Sequence, residues 1–440
     1  MASFYDEQSP LIKRHEREEL GRWNSSTLNV LRVAATFFSF IISGANDSLY
    51  GVLIPRLESF YHLNHTTVSL LFLSPVAGYI VATLANHSMH VRLGQRGIAL
   101  IGGSCHVMAY AIASTHPPFS ALVLVYTLVG LGSGTKQAAW NSWVGGLQNP
   151  NELLGILHGF YGAGATIMPV VASVLLGKRG WSWYEVYYPF VAIAAADMVF
   201  SSSVFATHDG SAYREKNGIQ PREEHGQHTR TRGCFAAIKR SQTAVCLKEK
   251  VVLLGSAFLI TYTGSEVALG GWMVTFLMEI RHGTAFASGL AVSGFWGGLT
   301  LGRFALGFVT ARFLNNMKLI VSFYLVCAMA TQLLFWLIPN FIASAVSAAF
   351  LGFFLGPLFP AVIVSLTTVL PKSLQVPAVG ICSAIGASGA SSVPFAVGAI
   401  AQAMGVQVLQ PIIFACLLLC LLLWAYFPDP DSPFVDTQTA

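Results

Sequence analysis

Among the ionisable residues that interrupt long apolar runs in this chain are Asp47, Lys136, Glu266 and Arg303. Each has a functional reading and a plainer one, because a charge inside apolar surroundings is costly unless it faces a cavity or a partner. Asp47 can carry a proton or sodium ion, or reach the polar boundary, which lies roughly 10 Å along its helix. Its neighbour Asn46 can hydrogen-bond a hydroxylated solute. Lys136 can attract an anionic solute, or thread its long stem back to the surface. Glu266 lies mid-run, within Thr263–Trp272, where escape to a surface is hardest and a buried carboxyl can carry a proton. Arg303 suits a salt bridge that changes with conformation, or a helix end, better than solute binding. Gln137, Trp140 and Asn141 share a helix with Lys136, and Tyr161 and Trp272 lie in other runs. The aromatics can stack on a ring or simply pack. No phosphate-binding G-x-x-x-x-G-K-[ST] and no metal-spaced His/Cys cluster occurs, so no ATP-driven pump, enzyme, cofactor or metal is expected.

The elements that must hold these residues are set by composition. The 440 residues are 54% hydrophobic and 10% charged, with a mean hydropathy of +0.60. Soluble domains carry about a quarter charged residues, so lipid must cover much of this surface. Fourteen of the forty-five formal charges fall within 207–250 alone. A helix needs roughly 20 apolar residues to cross a bilayer. Such runs lie near 30–54, 67–91, 98–115, 119–147, 155–177 and 184–206, and again near 251–278, 285–312, 317–338, 341–370, 376–403 and 408–427. The reading is an all-α membrane protein of twelve transmembrane helices. It divides into a tail (1–29), a six-helix half (30–206), a linker (207–250), a second half (251–427) and a tail (428–440).

Lysine and arginine asymmetry orients the spans. With both termini in the cytoplasm, inner segments hold eighteen of the 25 basic residues and outer loops hold four, Arg56, Lys178, Arg179 and Arg281. Basic residues in short loops set topology and form no nucleic-acid-binding face, so the net charge of +5 implies no such partner. Asn64-His65-Thr66 then lies outside as a candidate glycosylation acceptor. Seven cysteines, five of them in apolar segments, give no disulfide framework.

The halves repeat weakly. Gly164–Pro169 recurs as Gly389–Pro394, Gly130 and Gly134 as Gly352 and Gly356, and Arg92–Gln95 as Arg312–Asn315. A shift of six spans preserves orientation, so the halves are parallel repeats with a solute site between them near mid-bilayer. The polar linker can tether them without setting their angle.

This layout resembles the major facilitator superfamily over essentially the whole chain. Asn46–Pro55 looks like the first helix of fucose-permease-like and sodium-dependent-glucose-transporter-like members, and His158–Pro169 resembles their fifth. Gly297–Arg303 resembles the eighth helix of fungal proteins in that branch. The resemblance implies that the first, fourth, seventh and tenth helices line the cavity, which places Asp47, Lys136 and Glu266 there. It also implies a conformational role for Arg92 and Arg96, although only Arg92-Leu93-Gly94-Gln95-Arg96 survives of the usual aspartate-bearing loop. Lys136 stands where relatives often hold an acid, and the P-E-S-P-R signature of sugar porters is absent. The expected function is alternating-access transport of a small organic solute by a monomer in the plasma or vacuolar membrane, coupled to a proton or sodium ion. Uptake of a sugar-like nutrient stands first and efflux of a small anionic or aromatic metabolite second. A non-transporting nutrient sensor would favour a longer cytoplasmic tail than 29 or 13 residues.

Overall fold

The computed structural model describes residues 21–216, 245–312 and 316–428. The tail segment 1–20, the linker centre 217–244 with Cys234, residues 313–315 of one repeat match, and 429–440 lie outside the described residues. Among those described there is no strand, and the six cysteines are free.

Long apolar runs free of charge leave the backbone no polar partner but itself, so they close into helices. The first, α1 (Thr27–Tyr61), starts where Ser26 accepts a hydrogen bond from the Asn29 amide and stops where His62 turns left-handed. The short α2 (His65–Val68) is capped by Asn64, whose Oδ1 accepts from the Thr67 amide. Next come α3 (Leu70–Ser114), α4 (Phe119–Gly145), α5 (Pro150–Ser173), α6 (Tyr187–Val204) and α7 (Gly210–Lys216). The second set is α8 (Lys250–Glu279), α9 (Ala285–Arg312), α10 (Met317–Leu337), α11 (Phe341–Leu355), α12 (Leu358–Val369), α13 (Lys372–Met404) and α14 (Leu409–Ala425).

Among the described residues, ten helices are long and apolar enough to cross a membrane. One of them contains α3, which breaks at Gly94 (φ 64°, ψ −168°) and so supplies two crossings. With α9 the crossings number twelve. The tenth is divided into α11 and α12 at Gly356-Pro357, where proline offers no amide to the preceding turn. Large apolar side chains point outward all round the bundle: Leu124, Phe308, Leu319 and Ile342 are 71–74% exposed. Water would not tolerate such a belt; lipid does.

The repeat seen in the sequence reappears in the packing. A Cβ on Gly164 would lie 2.0 Å from the Ile41 carbonyl oxygen, and one on Gly389 would lie 2.0 Å from that of Ile260. Gly130 approaches Pro75 in the first half as Gly352 approaches Phe295 in the second, at 2.0 and 2.1 Å. The same glycines thus let α1 meet α5, α8 meet α13, α3 meet α4 and α9 meet α11, through the small-residue contacts that membrane helices favour. The two sets meet along α1 and α8, along α5 and α9, and where α2 and α3 touch α13.

One feature of the linker differs from a wholly solvated tether. Its first helix, α7, docks on the α3 break: the Arg96 amide donates to the His208 carbonyl at 3.1 Å, and Arg214 Nη1 donates to that of Val91 at 2.7 Å. Asp209 caps α7 through the amides of Ser211 and Ala212, and the Ser211 hydroxyl, followed by these amides, holds its carboxyl below the usual range.

Candidate functional site

Between the two sets lies a cavity of about 520 Å³. One wall is polar and aromatic. Asn46, Asp47 and Tyr50 come from α1, Tyr79 from α3, Ser133 and Gln137 from α4, and Tyr161 from α5. The opposite wall carries Thr263 and Glu266 of α8 and Trp296 of α9, with small residues such as Ala384 and Ser388 of α13.

Local packing positions these groups. Gly44 lets α1 lie against the backbone of Tyr161, which brings the Tyr161 hydroxyl to Asp47 Oδ2 at 2.8 Å. Asn46 Nδ2 donates to Asp47 Oδ1 at 3.1 Å, and Asn46 Oδ1 accepts from Tyr110 at 3.2 Å. Gln137 Nε2 donates to the Tyr79 hydroxyl at 3.4 Å. Across the cavity, Arg303 Nη2 donates to both Glu266 oxygens, at 3.2 and 3.4 Å. Among the described residues, the charged groups lining the cavity are therefore two carboxyls, Asp47 facing a tyrosine and Glu266 paired with an arginine.

The cavity is sealed at the end of the bundle remote from the N terminus. Gly51 and Gly270 touch backbone to backbone, since a Cβ on Gly51 would lie 2.1 Å from the Gly270 carbonyl oxygen. Phe72 packs on Gly271, and Trp272 packs on Gly398 beside Ser69. Toward the other end the lining runs to Thr83 and Leu84 of α3 and Ala384 of α13.

The residues singled out in the sequence divide into two groups. Asn46, Asp47, Gln137, Tyr161 and Glu266 line the cavity; Lys136, Trp140, Asn141 and Trp272 do not. Lys136 corrects both readings of that residue, since it neither faces a solute nor snorkels. It is 1% exposed and donates to Asp197 Oδ2. The Asp197 carboxylate also accepts from Ser39 at 2.6 Å and Ser201 at 3.2 Å. His106 completes the cluster, its Nδ1 at 3.4 Å from the Lys136 ammonium and its Nε2 at 3.1 Å from Ser133 Oγ. The cause is rotation: successive helical residues turn about 100°, so Gln137 faces the cavity and Lys136 faces α3 and α6.

The other three have similar explanations. Trp140 is fully buried and stacks on Phe205 at 4.9 Å. Asn141 bonds the Gln137 carbonyl and His158. Trp272 donates to the Pro394 carbonyl at 2.8 Å, within the seal. Arg303 makes its bond to Glu266, whereas Arg92 and Arg96 are exposed at the α3 break. Asn64 is exposed as the cap of α2. Sequence reasoning missed Tyr50, Tyr79, Ser133, Trp296 and His106. A histidine inside an apolar run was a usable signal for His106; nothing separated the two tyrosines or Trp296 from packing aromatics.

Comparison with known proteins gives the same architecture. A family model described as Major Facilitator Superfamily matches residues 36–337. The chain is 30% identical over 412 residues to Bypass of stop codon protein 6 of Saccharomyces cerevisiae, covering 90% of this chain and 82% of that protein. It is 23% identical over 398 residues to a glucose/galactose transporter of Brucella abortus, covering 85% and 89%. The crystal structure of a D-xylose–proton symporter superposes with a TM-score of 0.70 at 11% identity, over 91% of this chain and 98% of that one.

Proposed function

This chain belongs to the Major Facilitator Superfamily and is a secondary transporter, and we propose that it takes up a small hydroxylated, sugar-like nutrient in symport with a proton. The observation that carries the reading is the paired walls of the cavity. Asn46, Asp47, Tyr79, Gln137 and Tyr161 offer hydrogen-bond donors and acceptors on one wall, and Glu266 lies on the other. A cavity of this kind fixes a solute through a few polar groups set in an otherwise apolar lining. The two carboxyls supply coupling: protonating either removes a charge from the cavity and loosens its bond to Tyr161 or Arg303. The likeness to a glucose/galactose transporter supports the solute class.

Efflux of an anionic metabolite loses one support. Of its grounds, which were Lys136, the acid missing from the fourth helix and the aromatic-rich helices, the first weakens because that ammonium is paired with Asp197 outside the cavity. With the termini in the cytoplasm, the cavity end beside Thr83 and Leu84 is the inner one, and the contacts at Gly51 and Gly270 close the outer gate. Domain boundaries at 30–206 and 251–427 give two halves that rock about the cavity.

The test is uptake of labelled D-glucose and D-galactose by proteoliposomes holding the full chain. An inward proton gradient accelerates uptake in the wild type. Glu266→Gln loses that response and keeps exchange of solute without a gradient. No uptake of either hexose would remove the solute class, and an unchanged gradient response in Glu266→Gln would remove that residue from coupling.

A further inference from the structure

Behind the cavity wall, a buried chain of polar groups ends on a hydroxyl that a solute can reach. Ser133 of α4 lines the cavity. Its Oγ lies 3.1 Å from His106 Nε2, and His106 Nδ1 lies 3.4 Å from the Lys136 ammonium, which donates to Asp197 Oδ2. His106 is 0% exposed, so bulk water does not compete for either ring nitrogen. Close packing holds the ring in place. It stacks on Tyr110 with centroids 5.7 Å apart, and a Cβ on Gly132 would lie 2.7 Å from its Cδ2. Turning the ring over would set carbon against both Lys136 and Ser133.

The direction of each bond follows from what its partner can do. A lysine ammonium only donates, and a neutral imidazole has one donor and one acceptor nitrogen. Nδ1, facing Lys136, therefore accepts, and the ring proton sits on Nε2. A second ring proton would set two donors and two positive charges 3.4 Å apart, with the carboxylate of the cluster already bonded to Lys136. Nε2–H then donates to Ser133 Oγ, which leaves the serine hydrogen for the cavity. There it reaches the Tyr79 hydroxyl, or a solute oxygen that takes its place.

We infer that Ser133 is a solute-binding residue fixed as a hydrogen-bond donor: Lys136 sets the His106 tautomer, and His106 turns the serine hydrogen into the cavity. The solute therefore presents an acceptor at this position, a hydroxyl, ether or carbonyl oxygen. His106 is a positioning residue, and Lys136 acts through it without touching solute. Without this relay the hydroxyl is free to turn back and donate to Nε2, and the wall offers an acceptor instead. The inference rests on the proposed hexose reading and names one contact within it.

Two measurements test it. The first needs no solute: nitrogen NMR of the full chain in lipid bilayers with isotopically labelled histidine, the His106 signals being those lost in His106→Gln. The expected pattern is a protonated Nε2 and a bare Nδ1. A protonated Nδ1, alone or together with Nε2, overturns the inference. The second is binding of D-glucose and of its monodeoxy and monodeoxyfluoro analogues, since fluorine accepts a hydrogen bond and cannot donate one. At one ring position the deoxy sugar binds the wild type about threefold more weakly than the fluoro sugar, within the range of one neutral hydrogen bond. Ser133→Ala and His106→Leu abolish that difference. His106→Gln, whose amide holds both an acceptor for Lys136 and a donor for Ser133, keeps it. A difference that survives in Ser133→Ala, or a wild type that shows none at any position, overturns the contact while leaving hexose transport intact. Failure of every hexose to bind removes the solute class instead, and the tautomer then decides by itself whether the wall presents a donor.

Discussion

Replacing Lys136 by methionine separates a structural ion pair from a solute-binding lysine. Lys136 and Asp197 are each 1% exposed, and the Lys136 stem fills the space left by Gly102, where a Cβ would meet its Cγ at 2.6 Å. Methionine preserves most of that packing and removes the charge. Asp197 is then left with the Ser39 and Ser201 hydroxyls at 2.6 and 3.2 Å. Breaking a buried pair by removing one partner costs about 3–5 kcal/mol. A charged residue at the bilayer centre costs about 2.5–3.5 kcal/mol on insertion scales. The two estimates agree near 3 kcal/mol, a shift of more than 100-fold in the folding equilibrium at 1.36 kcal/mol per decade. Asp197→Asn alone strands the ammonium beside His106 and loses a similar amount. The double variant Lys136→Met/Asp197→Asn carries neither charge and loses less than about 1.5 kcal/mol, leaving a coupling energy of over about 4 kcal/mol between two contacting sites. Denaturant unfolding in mixed micelles reads the four stabilities, and hexose binding to the folded double variant reads function. Additive losses would refute the pairing. A double variant of normal stability that no longer binds hexose would place Lys136 in the solute site after all.

Two further outcomes follow from close backbone approach. Gly51→Val puts a branched side chain where even a Cβ would lie 2.1 Å from the Gly270 carbonyl oxygen, so the seal between α1 and α8 cannot close. Counterflow of hexose falls at least tenfold while binding from the outer side persists, and unchanged counterflow would show that the gate does not close through this contact. Gly94→Ala imposes a side chain at φ 64°, ψ −168° and 2.3 Å from the Asp209 backbone. Such a conformation alone costs about 1–3 kcal/mol outside glycine. The expected result is faster proteolysis in 207–216 as α7 undocks, and unaltered cleavage there would mean that α7 does not depend on this turn.

What the sequence determined by itself was the set of elements. A run of some 20 apolar residues must be helical in lipid whatever surrounds it, so twelve crossings were legible one at a time. The repeat was legible because close helix approach admits only glycine at Gly130, Gly164, Gly352 and Gly389, and so the packing leaves a mark in composition. The ionisable residues were legible because each is an exception to an apolar background. Their partners were not. Lys136 meets Asp197 61 residues on, Glu266 meets Arg303 37 residues on, and the His65 amide meets Gln402 across 337 residues. A helix that is apolar on every side carries no stripe to say which face turns inward. The rotation of α4, which sends Gln137 into the cavity and Lys136 away from it, was therefore decided only when the neighbouring helices packed around it.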